Sequence, residues 1–262
     1  MKKEMVLMGA VLIVMMTGTC GSLLAATTFP GQVGTATVVK GEVRATTPPD
    51  TVAHTLRKGD PVFMGDKIET GADGQLEVKL LDKTVFSLGA SGGITMDEFI
   101  YDPKTDDGKV RASILKGAFR IVTGKVAHKR SENMSVGLPS GTLGFRGTIV
   151  AGIVDGTRST IVLIGPVGVG RVYVTNLVNG QLITVDIDEA GHGTIIDGPN
   201  SVPVDVFQVS EEELARIAAS LGLSVPDLNG EGYTPPDMPD PDALDNEVQT
   251  EETSKDISAV SN

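Results

Sequence analysis

A possible serine nucleophile is the first feature of this chain that could do chemistry. Residues 89–93 read G-A-S-G-G, the spacing of a nucleophile elbow, in which a strand-to-helix turn presents the serine hydroxyl to an acyl substrate. The segment that follows, Ile94 to Phe99, has neither the length nor the period of a helix. The histidines His54, His128 and His192 show no triad pattern around them. We therefore predict that the protein is not an enzyme. The alternative is a glycan- or peptide-acting enzyme whose carboxylates only the fold brings together.

Two further loops have spacings that suggest ligand binding. Residues 165–170 carry glycines five positions apart, as a phosphate-binding loop does, but Arg171 stands where the lysine is required. Residues 102–113 resemble a calcium loop weakly, because Lys104 occupies a ligand position and Ser113 stands where the loop needs a bidentate glutamate. A solvated acidic turn is the better interpretation of this second loop. We predict no cofactor and no metal site.

Charge and composition limit the class of protein. The 262 residues include 22 Lys+Arg and 34 Asp+Glu, a net charge of −12, which argues against nucleic acid as a partner because duplex binding depends on basic side chains. Hydrophobic residues make up 40% of the chain, enough for a sizeable core. Glycine accounts for 32 residues while aromatic residues make up 4%. This balance favours many turns and short strands over a helical bundle.

The N-terminus has the layout of a secretory signal peptide. Lys2 and Lys3 precede an uncharged run that ends in small residues and Ala26. We predict cleavage after Ala26, so that residues 1–26 are the signal peptide and the mature protein is periplasmic or secreted. Two alternatives keep it at the membrane: the segment is retained as an anchor, or Cys20 is lipidated.

Residues 27–207 show the alternation of a β domain. In residues 75–80 three apolar side chains alternate with polar ones, and Asn179-Gly180 between apolar runs is typical of a hairpin. Gly41 and Gly117 each lie inside an apolar strand pattern, where glycine commonly marks a bulge or a close backbone approach. We predict an all-β fold, a solenoid, prism or rolled sheet of many short strands, with a β-sandwich as the alternative.

A single convincing helix and an acidic tail follow. Ser210 is an N-cap with Glu213 three residues on, and Gly222 ends the helix. Residues 208–229 are thus a capping helix and linker, expected to cover an edge of the β domain. Residues 230–262 are too polar and acidic to fold alone, which predicts a disordered tail. The apolar stripe of the helix consists of Leu214, Ile217, Ala218 and Leu221.

The order of several short motifs resembles the FecR domain family, a β-rich envelope domain, over roughly residues 33–155. The resemblance implies a set of family residues with structural roles: Gly41, Gly59, Asp60, Gly65, Asp66, Gly71, Gly117, Arg146, Gly147 and Thr148. For Arg146 we expect a partly buried guanidinium that ties strands together, with ligand binding as the alternative. No catalytic, cofactor-binding or metal-binding residue is implied.

The resemblance also implies a role in the envelope. FecR-type regulators hold a sigma-factor-binding segment before their membrane helix and receive a signal from an outer-membrane transporter. Here four residues precede the hydrophobic run. We expect a non-enzymatic exported protein that binds an envelope protein or polymer. The alternative is a component of a periplasmic signal relay, for iron or another envelope cue, that works with a separate membrane partner.

Overall fold

Strands dominate the computed structural model, which describes residues 31–50, 52–165 and 170–229. The predicted signal peptide, residues 1–26, and the predicted tail, residues 230–262, lie outside the described residues. The strands are β1 Gln32–Lys40, β2 Val43–Thr46, β3 His54–Thr55, β4 Pro61–Phe63, β5 Lys67–Thr70, β6 Gln75–Leu80, β7 Val85–Leu88, β8 Gly93–Tyr101, β9 Gly108–Val122, β10 Met134–Leu138, β11 Gly141–Arg146, β12 Ile149–Asp155, β13 Arg158–Gly165, β14 Arg171–Val178, β15 Gln181–Ile187, β16 His192–Ile196 and β17 Phe207–Gln208. The helices are α1 Lys125–Lys129, α2 Glu211–Ser220 and α3 Val225–Leu228, with a 3-10 turn at Ser131–Asn133.

The strands form two hydrogen-bonded sheets that share β9. Sheet A has the order β4-β1-β6-β7-β9-β12-β13-β16-β17. Sheet B has the order β3-β2-β5-β8-β9-β10-β11-β14-β15. All described pairs are antiparallel except β9 with β10, which is parallel. The prediction of an all-β fold with many short strands is confirmed.

Glycines mark the points where the chain passes from one sheet to the other. Gly41 lies between β1 of sheet A and β2 of sheet B, and its φ is +59°. Gly117 has φ +88° and lies inside β9, where pairing changes from sheet B (108–116) to sheet A (117–122). A side chain at either position would collide with backbone, since a Cβ at Gly117 would lie 2.6 Å from the Gly92 Cα. Gly41 and Gly117, which both lie inside an apolar strand pattern in the sequence, therefore have the same role: each allows the chain to cross from one sheet to the other.

The main core lies between the facing sheets. Alternate residues of each strand point inward, as Phe119 of sheet A and Phe145 of sheet B do, and both are fully buried. A second cluster covers the other side of sheet A, where α2 and α3 pack on β7, β9, β12 and β13. The helix therefore covers a sheet face and not an edge, which corrects the sequence expectation. The outer face of sheet B, on the side away from sheet A, carries no such layer among the described residues.

Helix α2 begins and ends where the sequence predicts. The Ser210 hydroxyl accepts a hydrogen bond from the Glu213 N–H at 3.2 Å, and Gly222 follows the helix with φ +67°. The predicted stripe faces sheet A, with Ile217 fully buried. Within the described ranges, no helix is long and apolar enough to cross a membrane.

Candidate functional site

The G-x-S-x-G segment forms the turn between β7 and β8. Ser91 is exposed with φ +53°, and a strand follows it where a nucleophile elbow requires a helix. The Thr70 hydroxyl donates to the Gly89 carbonyl at 2.6 Å and accepts from the Gly92 N–H at 2.7 Å. These bonds make the segment a tight turn that β5 holds in place.

Beside this turn lies an open cleft of about 690 Å³. Ser91, Lys116, Asp155, Arg158 and Arg216 all line it, so the described lining combines one carboxylate with three cations. Each cation already forms an ion pair. Their acidic partners are Glu69, Asp197 and Glu213. The charges of the cleft are thus largely neutralised by the protein itself.

The acidic turn after β8 satisfies its own carboxylates. Asp102 accepts hydrogen bonds from the Lys104 N–H at 2.9 Å and from a threonine hydroxyl of the same turn. Asp106 accepts from the Tyr101 hydroxyl at 2.6 Å and from the Lys125 ammonium at 3.2 Å. The bond from Tyr101, more than the ammonium, lowers the pKa of Asp106 below its usual value. This geometry agrees with a solvated acidic turn and not with a calcium loop.

One buried carboxylate has a raised pKa, and it has a structural explanation. Asp82 is fully buried, and desolvation raises its pKa above the ordinary 3.8. Its carboxylate accepts from the Thr84 N–H at 3.0 Å and from the Thr84 hydroxyl at 2.8 Å. The same Thr84 hydroxyl accepts from the Gly124 N–H, which ties this turn to the start of α1. Asp82 therefore stabilises the turn after β6 and, through Thr84, its contact with the start of α1.

The two Gly-Asp motifs are the same turn used twice. The Asp60 carboxylate accepts from the Arg57 N–H at 2.7 Å, and the Asp66 carboxylate accepts from the Phe63 N–H at 2.8 Å. The glycine before each aspartate has a positive φ, +93° at position 59 and +86° at position 65. Gly71 instead lies against the sheet crossing, where its N–H donates to the Glu42 carbonyl at 2.8 Å. These family residues shape turns.

The Arg-Gly-Thr motif joins β11 to β12, and its threonine is a structural crosslink. Thr148 is buried, its N–H donates to the Thr123 hydroxyl at 2.8 Å, and its own hydroxyl donates to the Gly165 carbonyl at 2.8 Å. Gly147 has φ +52°, and a Cβ there would lie 3.0 Å from the imidazole of His128. Burial lowers the pKa of His128 below the ordinary 6.5. Gly147 and Thr148 thus fix the crossing from sheet B to sheet A.

Arg146 behaves differently, and the expectation of a partly buried guanidinium is wrong. Because Phe145 points into the core, strand alternation turns Arg146 outward, and it is exposed on the outer face of sheet B. No described residue forms an ion pair or hydrogen bond with its guanidinium. Its register partner on β14 is Arg171, which itself pairs with Asp186 at 2.6 Å. Like charges directly opposite each other in a sheet are destabilising, and here the carboxylates of Asp186 and Asp188 beside Arg171 offset that repulsion.

The rest of the outer face of sheet B is mainly polar, with one exposed apolar pair, Leu177 and Leu182, on β14 and β15. Tyr173 lies beside Gly144, since a Cβ built on Gly144 would lie 3.7 Å from the Cδ2 atom of the Tyr173 ring. The ring therefore borders a part of β11 that has no side chain. One row of register partners crosses seven strands, about 29 Å at ~4.8 Å per strand. The row consists of Lys67, Thr95, Ser113, Gly137, Thr142, Thr175 and Thr184. Sequence alternation could have revealed this face, but the register that aligns its residues is set by long-range pairing.

Comparisons with known proteins give one family match. Residues 66–167 match the family model described as FecR protein. The match begins later and ends later than the span of roughly 33–155 expected from the sequence. No curated relative matches the chain.

Solved structures give weaker similarities. A structure titled "Cell surface anchoring domain" has 26% identity and a TM-score of 0.23, over 24% of this chain and 80% of that one. A proposed anti-sigma factor from Parabacteroides distasonis ATCC 8503 has 13% identity and a TM-score of 0.42, over 57% of this chain and 62% of that one. A second structure with the same description has 12% identity and a TM-score of 0.40, with the same coverage. The family match thus carries the comparison: residues 66–167 of this chain are similar to the FecR protein family.

Proposed function

We propose that this protein is a non-enzymatic binding component of an envelope signal relay, and that its FecR domain receives a partner protein on the outer face of sheet B. The FecR match supports a signalling-related role, because regulators of this family receive their signal through the envelope part of the chain. The signal-peptide layout of residues 1–26 supports export to the periplasm or beyond.

The observation that carries the proposal is the exposed Arg146. It is part of the family motif, yet its guanidinium forms no ion pair or hydrogen bond with any described residue. It stands opposite Arg171 on a face that no described helix or strand covers, in a protein whose net charge is −12. A guanidinium binds a carboxylate through two parallel hydrogen bonds, and arginine is enriched in the centres of protein interfaces. Arg146 therefore marks the position at which an acidic group of the partner docks.

Photo-cross-linking from defined positions tests the face. A photoreactive phenylalanine derivative is placed at Thr142, which is exposed on the outer face of sheet B, or at Glu212, which is exposed on α2. We expect irradiation of intact cells to yield one discrete cross-linked protein from position 142 and none from position 212. The same product from both positions, or none from 142, would refute docking on this face.

Binding of an envelope polymer is the second candidate, and the row of mostly hydroxyl-bearing residues that crosses the sheet near Tyr173 favours it. Such a face offers hydrogen-bond donors and acceptors together with an aromatic ring. If it binds a polymer, the purified protein should co-sediment with isolated cell-wall polysaccharide, and Tyr173→Ala should abolish this. Absence of co-sedimentation would leave the protein partner as the proposed ligand.

A further inference from the structure

The lateral edges of the two sheets are unequal. An unpaired edge strand presents free backbone N–H and C=O groups, so proteins usually shorten such strands or interrupt them with proline or charge. Three of the four edges follow this rule: β3 and β17 have two residues each, and β4 has three and begins with Pro61. The fourth edge is β15, with seven residues, no proline and no lysine. Among the described residues, no strand pairs with the side of β15 that faces away from β14.

The composition of β15 suits strand addition. Its residues are Gln-Leu-Ile-Thr-Val-Asp-Ile, rich in the β-branched types that stabilise strands. Leu182 is 73% exposed and its register partner Leu177 is 56% exposed, so an apolar pair lies open at one end. Two hydrogen bonds of the Asn176 amide, to Gly198 and Ser201, hold the hairpin of β14 and β15 against the next loop. The edge is thus a template about 24 Å long at ~3.4 Å per residue, and its hairpin is attached to the neighbouring loop.

Charge divides this edge into an apolar end and an acidic end. The acidic end carries Asp186, Asp188 and Glu189, of which Asp188 and Glu189 have side chains 60% and 74% exposed. Arg171 pairs with both aspartates, which leaves an excess of negative charge at this end. A second copy of the chain, with its own net charge of −12, would bring like charges together there. A strand with basic residues at one end is complementary.

We propose that β15 is a docking edge for an extended segment of a partner protein, which adds to sheet B as an antiparallel strand. In that orientation the basic residues at the N-terminal end of the segment lie opposite Asp186 and Asp188, and its apolar residues lie opposite Leu182. Main-chain hydrogen bonds supply the affinity, and the two ends of β15 select the charge pattern. This proposal concerns the backbone edge of sheet B, whereas the Arg146 proposal concerns its outer face two strands away, and neither proposal rests on the other.

A synthetic peptide tests the edge directly. The probe is a fluorescent ten-residue peptide with two N-terminal lysines followed by alternating valine and threonine. One control peptide has glutamates in place of the lysines, and another has prolines in place of two valines. We expect fluorescence anisotropy to show binding of the probe at least ten times tighter than of either control. We also expect hydrogen exchange at residues 181–187 to slow when the probe is bound.

Protein variants separate the edge from the rest of the sheet. The double variant Leu182→Lys with Thr184→Lys should weaken probe binding at least tenfold, because lysines block an edge and repel the basic end of the peptide. The matched control Thr142→Lys changes the same face inside the sheet and should stay within twofold, as should Arg146→Ala. Circular dichroism melts confirm that each variant folds.

Three results would overturn the proposal. The first is equal binding of the proline-containing peptide, and the second is unchanged exchange at residues 181–187. The third is a concentration-dependent dimer that protects residues 181–187 without peptide, since a second copy would then occupy the edge. Failure of the peptide test leaves the Arg146 proposal intact, because Arg146→Ala is assayed against the cross-linked partner and not against the peptide.

Discussion

Replacing Gly117 by alanine should lower the free energy of unfolding by about 3 kcal/mol. The left-handed backbone at φ +88° costs an L-residue ~1–2 kcal/mol. The new Cβ would also lie 2.6 Å from the Gly92 Cα, so backbone must move, and overpacking of this kind costs a further ~1–3 kcal/mol. The loss is large because Gly117 is where β9 leaves sheet B for sheet A.

A matched control separates the two contributions. Gly156 also has a left-handed φ, +59°, but a Cβ there would meet nothing within 4 Å. Gly156→Ala should therefore cost only the backbone strain, about 1 kcal/mol. Urea denaturation followed by circular dichroism measures both variants against the parent protein. Equal losses for Gly117→Ala and Gly156→Ala would refute the close approach at the crossing.

Two further predictions concern the helix layer and a buried histidine. Ile217→Ala should lower the free energy of unfolding by about 3 kcal/mol, because it opens a cavity under α2. The control Ala219→Ser, at an exposed position of the same helix, should change it by no more than about 0.5 kcal/mol. Equal urea midpoints for the two variants would contradict the packing of α2 on sheet A. Since burial lowers the pKa of His128, the unfolded chain binds the proton more tightly, and stability should fall as pH drops from 6.5 towards the folded-state pKa. His128→Gln should flatten this fall in denaturation curves, and an unchanged pH slope would show that His128 is not responsible.

Much of the local structure could be predicted from the sequence. The matched patterns around Gly41 and Gly117 indicated a close backbone approach, and both are sheet crossings. The cap at Ser210 and the apolar stripe predicted the bounds of α2 and its buried side correctly, because capping and helical period are local properties.

The errors have local and long-range causes. The prediction that Arg146 is partly buried was wrong, although strand alternation beside the buried Phe145 indicates that the Arg146 side chain points outward. The prediction was based on the family motif and not on this alternation. The placement of α2 on an edge overlooked Ser159–Ile164, a nearly continuous apolar run that is typical of a strand buried on both faces. The edge position of β15 and the parallel pairing of β10 with β9 depend on contacts between distant segments, which no local pattern encodes.

The most direct test of the proposed function is the affinity of Arg146 variants for the protein that cross-links from position 142. Arg146→Glu is compared with Arg57→Glu, an equal change of charge at another exposed arginine, which lies in the turn after β3. Loss of a central arginine contact costs about 2 kcal/mol, so we predict at least a tenfold weaker affinity for Arg146→Glu and less than a twofold change for Arg57→Glu. Equal effects of the two variants would show that net charge and not the face of sheet B determines binding, and would contradict the account.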